Sequence, residues 1–122
     1  MTYDNFTINA QEAILAGQRL AASLQQQTVD TPHLIKGILE ASEDSAKFLF
    51  QKVGVSLPQL TKALDESIQT YPKISGSDKQ YLSDLSNKAL AEAKKLLAEF
   101  GDEYISTEIM LLGIMKGTSK GA

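Results

Sequence analysis

One histidine, His33, and fifteen carboxylates are the groups in this 122-residue chain best suited to move protons or hold a metal, and there is no cysteine. A catalytic histidine needs a positioned nucleophile and an orienting acid. His33 instead follows Pro32 in what reads as the first turn of a helix, where it can cap or pack. A lone histidine among scattered carboxylates lacks zinc-ligand spacing. Glu12, Asp65, Glu66, Glu92 and Glu99 fall on helices whose other faces are apolar, and solvated faces account for them, with paired-carboxylate catalysis left as the alternative. A phosphate-cradling loop requires Gly-x4-Gly-Lys-Ser/Thr after a strand. The run Gly113-Ile114-Met115-Lys116-Gly117-Thr118 reverses Lys and Gly and follows no strand pattern. The expectation is a chain that is not itself an enzyme and carries no cofactor and no metal.

Binding is then the chemistry left, and charge narrows the partner. The formal net charge is −3, and Lys94-Lys95 is the only adjacent basic pair. Nucleic acid wants clustered Lys and Arg, so no nucleic-acid partner is expected. No stretch approaches the roughly 20 apolar residues of a membrane span, and residues 1–9 lack the basic start and apolar run of a signal peptide. The absence of cysteine fits a reducing compartment, and a cytoplasmic location is expected. Apolar residues make up 43% of the chain, enough for one all-α domain with a real core.

Helical periodicity runs almost throughout, while strand alternation is absent. The first helix is predicted over residues 7–24, with Thr7 as N-cap. Phe6, Ala10, Ala13, Gly17, Leu20, Ala21 and Leu24 share one face, and Ile8, Leu15 and Ala22 another, which predicts burial on two sides. Thr31-Pro32 opens a second helix, with Thr31 as cap. Ser42-Glu43-Asp44 opens a third, with Ala46, Leu49, Phe50 and Val53 as its stripe and Gly54 as its stop. Ser56-Leu57-Pro58 opens a fourth. Residues 71–77 read as a linker. A fifth helix starts at Ser77 or Ser83 and ends at Gly101. Its stripe runs through Leu82, Leu85, Ala89, Ala93, Leu96, Leu97 and Phe100. Ser106-Thr107-Glu108 caps a sixth, with Ile109, Met110, Ile114 and Met115 as core. Residues 117–122 read as a frayed tail.

The chain also repeats itself. A shift of 76 positions lays the first helix on the fifth without a gap: Ala13 on Ala89, Leu20 on Leu96, Leu24 on Phe100, Val29 on Ile105. The second helix falls on the sixth, with Thr31 on Thr107, Gly37 on Gly113 and Ile38 on Ile114. The paired glycines predict close helix crossings, at ~8 Å rather than ~10 Å. Residues 6–70 form one repeat and 78–116 a partial second one, giving a single domain of two pseudo-twofold-related copies.

Several runs carry a resemblance. They are Phe6-Thr7 with Gln11-Glu12-Ala13-Ile14, then Val29-Asp30-Thr31-Pro32-His33-Leu34. The link Tyr71-Pro72-Lys73-Ile74-Ser75-Gly76 and the run Gly101-Asp102-Glu103-Tyr104-Ile105-Ser106-Thr107-Glu108 complete the set. Together they resemble the double Clp-type N-terminal repeat, and the Pro72 link is most similar to the ClpB/Hsp100 disaggregase branch. The resemblance implies a mobile N-terminal domain on a hexameric, ATP-driven unfoldase, recognising unfolded or aggregated polypeptide. It implies ATP and magnesium only in motor domains outside these residues. Adaptor or co-chaperone docking, as in ClpC and ClpA relatives, is the nearest alternative, and a freestanding helical regulatory protein is another. The family's second repeat has four helices and this chain supplies two, so a piece of a longer chain is expected, monomeric when isolated.

A receptor for unfolded chains wants a shallow apolar groove with polar groups at its rim. Ile14 and Leu90 are candidates for its floor, being repeat partners at the edges of their stripes; plain core residues are the alternative. Thr7, Asp102 and Glu108 match family positions linked to substrate handling. Each also has a structural reading: an N-cap, a loop residue after a helix end, and a carboxylate in a first helical turn.

Overall fold

The computed structural model describes residues 3–76 and 79–121. Among them lie α1 (Ile8–Ser23), β1 (Thr28–Val29), α2 (Thr31–Ala41), α3 (Glu43–Lys52), α4 (Leu57–Gln69), β2 (Tyr81–Leu82), α5 (Asp84–Phe100) and α6 (Thr107–Gly121). The all-α expectation holds, with six helices among the described residues and a two-stranded ribbon too small to change the class.

Helices α1, α2, α5 and α6 start where a side chain satisfies a free backbone N–H group, whereas α3 and α4 start after Ser42 and Ser56 without a side-chain cap bond. Thr7 Oγ1 accepts from Ala10 N at 3.1 Å, and its repeat partner Ser83 Oγ accepts from Ser86 N at 3.0 Å. Helix α5 therefore starts after Ser83, and Ser77 lies outside the described residues. Helix α2 is capped by Asp30, not by the predicted Thr31. The Asp30 carboxylate takes the Thr31 N–H at 2.8 Å, while His33 Nδ1 accepts from Asp30 N at 3.0 Å to close a capping box. Gly101, at φ +72°, ends α5 in the left-handed conformation that a β-carbon disfavours.

Helix α1 packs on α2, and α5 on α6. Both crossings need glycine. A β-carbon on Gly113 would lie 2.6 Å from the Ala89 carbonyl oxygen, and one on Gly37 would overlap that of Ala13. The two pairs enclose a core that includes Phe6, Ile14, Leu34, Ile38, Leu90, Ile105, Met110 and Ile114. Helix α4 lies on α2, helped by a 3.0 Å Lys36–Asp65 ion pair, and α3 lies against α2 and α6.

The copies also interlock through backbone. Val29 pairs in parallel with Leu82, and Phe6 with Ile105. Since the 76-residue shift carries Phe6 to Leu82 and Val29 to Ile105, these are one pairing made twice with the copies exchanged. That is what a pseudo-twofold axis requires. Ser83 N donates to Val29 O at 3.0 Å, and Thr7 N to Ile105 O at 2.9 Å. These ribbons were not expected from the sequence, because two-residue strands are too short to show alternation.

Other expectations change. The second apolar face of α1 is not buried: Ile8 is 78% and Leu15 45% exposed, and Ala22 is exposed too. Helix α2 covers one side of α1, and the opposite side faces outward. Val53, Leu85, Phe100 and Met115, assigned to buried stripes, are also exposed, since each lies at an edge of its stripe. Helix α6 continues to Gly121 through residues expected to fray, with Gly117 buried and a β-carbon there 3.5 Å from Ala89 Cα. Ala122 lies outside the described residues.

Candidate functional site

The cross-copy ribbons bring helix N-termini together in pairs, and the two junctions end up different. At the first, α2 and α5 start side by side. Ser83 Oγ donates to Asp30 Oδ1 at 2.6 Å, the Tyr71 hydroxyl donates to Asp30 Oδ2, and Ser86 Oγ donates to Val29 O at 2.9 Å. His33 lies behind Asp30 with no exposed surface. Its Nδ1 accepts from Asp30 N, so Nε2 donates to Gln26 Oε1 at 2.7 Å, and Gln26 Nε2 passes on to the Ile68 carbonyl at 2.8 Å. Burial lowers the His33 pKa, against the pull of Asp30. Burial would raise that of Asp30, but bonds from Ser83, Tyr71 and Thr31, with the His33 charge, bring it below the usual value. Both His33 nitrogens are committed, so this is a structural clasp holding α2, α4 and α5.

At the second junction α6 and α1 start side by side, and Ser106 and Thr7 stand where the first has Asp30 and Ser83. Ser106 Oγ accepts from Ile109 N at 3.2 Å. The N-terminus of α3 comes up beside them. The result is an open cleft of about 460 Å³ lined by Thr7, Ile8, Asn9, Ser42, Ser45, Ser106, Thr107 and Glu108. Three helix N-termini give its walls unsatisfied N–H groups and partial positive charge. Glu108 supplies the opposing charge, its Oε1 held by Thr107 Oγ1 at 2.8 Å. Ile8 gives the rim its apolar contact.

Of the five residues singled out from the sequence, the fold brings Thr7 and Glu108 into this cleft. Asp102 is exposed on the loop between α5 and α6, its N–H bonded to Leu97 O at 3.2 Å, and does not line the cleft. Ile14 and Leu90 are 2% and 0% exposed and sit in the core, so neither lies on an open groove floor in this conformation. Both belong to the single core cluster that the two copies build. The sequence reading missed Ile8, Ser42, Ser45 and Ser106 as cleft residues. Ser106 was legible as the repeat partner of Asp30; the approach of α3 was not.

A second opening, of about 380 Å³, lies between α1, α2 and α4, with Leu20, Leu39 and Leu57 as apolar walls and Lys36 and Glu40 at the edge. Its counterpart in the second copy, around Leu112 and Met115, is narrowed to about 30 Å³ by Leu49 and Phe50 of α3 and by Val53 just after it. Among the described residues no group of three His, Cys, Asp or Glu could hold a metal, and no helix is long and apolar enough to cross a membrane.

Comparison with known proteins agrees with this geometry. The model of the Clp repeat (R) N-terminal domain family matches residues 5–122. The chaperone protein ClpB of Bacteroides thetaiotaomicron is 36% identical over 115 residues, covering 94% of this chain and 13% of the relative. The chain thus spans about one eighth of that relative's length. The crystal structure of the Hsp104 N-terminal domain from Candida albicans superposes with a TM-score of 0.84 at 18% identity, over 95% of this chain and 77% of that one. A ClpV N-domain in complex with a VipB peptide superposes at 0.76 and 17% identity, over 92% of this chain and 68% of that one.

Proposed function

The chain belongs to the Clp repeat (R) N-terminal domain family, and we propose that it is the substrate-recognition domain of a ClpB-type disaggregase. It binds unfolded or aggregated polypeptide and passes it to an ATP-driven, hexameric motor. The observation that carries this reading is the asymmetry of the two junctions. The clasp of Asp30, Tyr71 and Ser83 fills one, while Thr7, Ser106 and Glu108 leave the other open beside exposed Ile8. An unfolded chain offers backbone carbonyls to the N–H groups, amides to Glu108 and apolar side chains to Ile8. Asp102 meets the same client from the loop leading into Ser106, and Ile14 and Leu90 brace α1 and α5 from beneath. Each contact is weak, and several domains engaging one aggregate supply the strength.

The test is an NMR titration of the isotope-labelled domain with reduced, carboxymethylated α-lactalbumin. Shifts concentrated at Thr7, Ile8, Ser42, Ser106 and Glu108 support the reading. Shifts confined to Leu20, Leu39 and Leu57 would assign binding to the apolar opening instead. A second reading, adaptor docking, draws on that opening and on the peptide-bound ClpV N-domain of the same fold. Absence of any shift with unfolded protein would favour it.

A further inference from the structure

From the cleft rim at Ile8, helix α1 carries an outward stripe whose remaining residues neither the core nor the cleft explains. Ile8, Glu12, Leu15, Arg19 and Ala22 are all exposed. At 3.6 residues per turn they fall within about 80° of one another. The order is apolar, acidic, apolar, basic, small. Glu12 and Arg19 make no ion pair within the described residues; they line a shallow trough with Glu40 of α2. Leu15 stands midway between them, 45% exposed.

This order is its own complement when reversed. Lay a second α1 antiparallel across the first, with the axis beside Leu15. Glu12 then faces the partner's Arg19, and Arg19 the partner's Glu12. The two leucines meet near the axis, and Ile8 covers the small residues at the far end of the partner helix. We propose that this face of α1 pairs with a second copy of the same chain in an antiparallel, twofold-symmetric contact. An isologous interface needs self-complementary charge, and a single stripe with one acid and one base equally placed about an apolar centre meets that need. An unfolded client has no fixed register to match it. The contact spans only four turns of one helix, far less than the ~800 Å² per partner of a stable interface. The isolated domain is therefore a monomer when dilute and pairs only near millimolar concentration. Tethering copies in one assembly supplies effective concentrations of about that size.

Charge reversal tests the pairing without touching the core. Glu12→Arg and Arg19→Glu are each compared with the parent chain by NMR shifts and rotational tumbling, from ~50 μM to ~2 mM, a range that brackets millimolar affinity. The parent chain is expected to show concentration-dependent shifts along residues 8–22 and slower tumbling. Each reversal alone is expected to weaken pairing at least tenfold, with the circular dichroism unchanged. Mixing the two variants in equal amounts restores opposite charges at both contacts and is expected to recover the slow tumbling. Tumbling independent of concentration in the parent chain overturns the proposal, as does a mixture no better than either variant alone. Shifts along the stripe produced by an unfolded protein but not by concentration also overturn it, and make the stripe a client contact.

Discussion

The carbonyl oxygen of Ala13 occupies the space that a β-carbon on Gly37 would need, so α1 and α2 can approach this closely only because that position is glycine. Gly113 meets Ala89 in the same way with slightly more room, at 2.6 Å, whereas a β-carbon on Gly117 would find its nearest neighbour at 3.5 Å, an ordinary contact. Alanine gains up to about 1 kcal/mol of helix propensity over glycine. Forcing atoms into a packed crossing costs about 1–3 kcal/mol. Gly37→Ala is therefore expected to destabilise the domain by about 2 kcal/mol, Gly113→Ala by somewhat less, and Gly117→Ala to be neutral or stabilising. Urea denaturation of the three variants checks the order; a Gly37→Ala protein as stable as the parent would mean that the helices separate without cost.

Acid should loosen the clasp in two stages. His33 is buried and neutral, with its pKa below the usual 6.5 chiefly through burial. Below that value the unfolded chain binds a proton that the folded one resists, so stability falls as pH drops from about 6.5 toward the lowered folded value. Asp30, with its pKa below the usual 3.8, contributes stability present above that value and lost as pH falls through the folded one. The urea midpoint should be lower at pH 5.5 than at pH 7.5. In a folded His33→Gln variant this difference should shrink, leaving the second loss below pH 4.

Tyr71 donates to the Asp30 carboxylate and stacks edge-on against His33, with ring centroids 5.3 Å apart. Its pKa is raised, by burial first and by Asp30 second. Tyr71→Phe keeps the ring and removes the bond, which for a charged acceptor contributes about 1.5–3 kcal/mol. The loss should sit at the low end of that range because Tyr71 is only half-buried. Thermal unfolding at pH 7 measures it. The low-pH loss should also begin at a higher pH, since Asp30 has lost a donor.

Much of this was legible in the sequence because it is local. Thr7 and Ser83 are capping residues at matching places, and the glycines at 37 and 113 mark the same crossing in each copy. By residue type alone Thr31 is as good a cap as Asp30; Ser83 and Tyr71, 53 and 41 residues away, make the aspartate worth more. Ile14 and Leu90 sit at the edges of their stripes, and only packing across the copies decides whether an edge faces a neighbour or water. The same limit hid the exposed face of α1, whose apolar residues read as a second buried side. The cleft escaped notice because it depends on α3 reaching the junction of α1 and α6, a distant contact without periodicity.

Separating the structural from the binding role of Thr7 is the sharpest test of the cleft. Its hydroxyl caps α1 through Ala10 N, and its surroundings include Ser106 and Glu108. Thr7→Ala should cost about 1 kcal/mol of stability as a lost cap and also weaken binding of carboxymethylated α-lactalbumin. Thr7→Ser keeps the cap and should restore stability. Ser83→Ala removes the equivalent cap and its bond to Asp30 at the closed junction, so it should cost at least as much stability while leaving client binding unchanged. Glu108→Gln keeps the side-chain volume and removes the charge; it should weaken binding several-fold while costing about 0.3–1 kcal/mol of stability, as for a carboxylate in the first turn of a helix. Binding read by NMR titration and stability read by urea denaturation then give two independent axes. If Ser83→Ala weakened binding as much as Thr7→Ala, the effect would track stability alone and the cleft would lose its claim to the client.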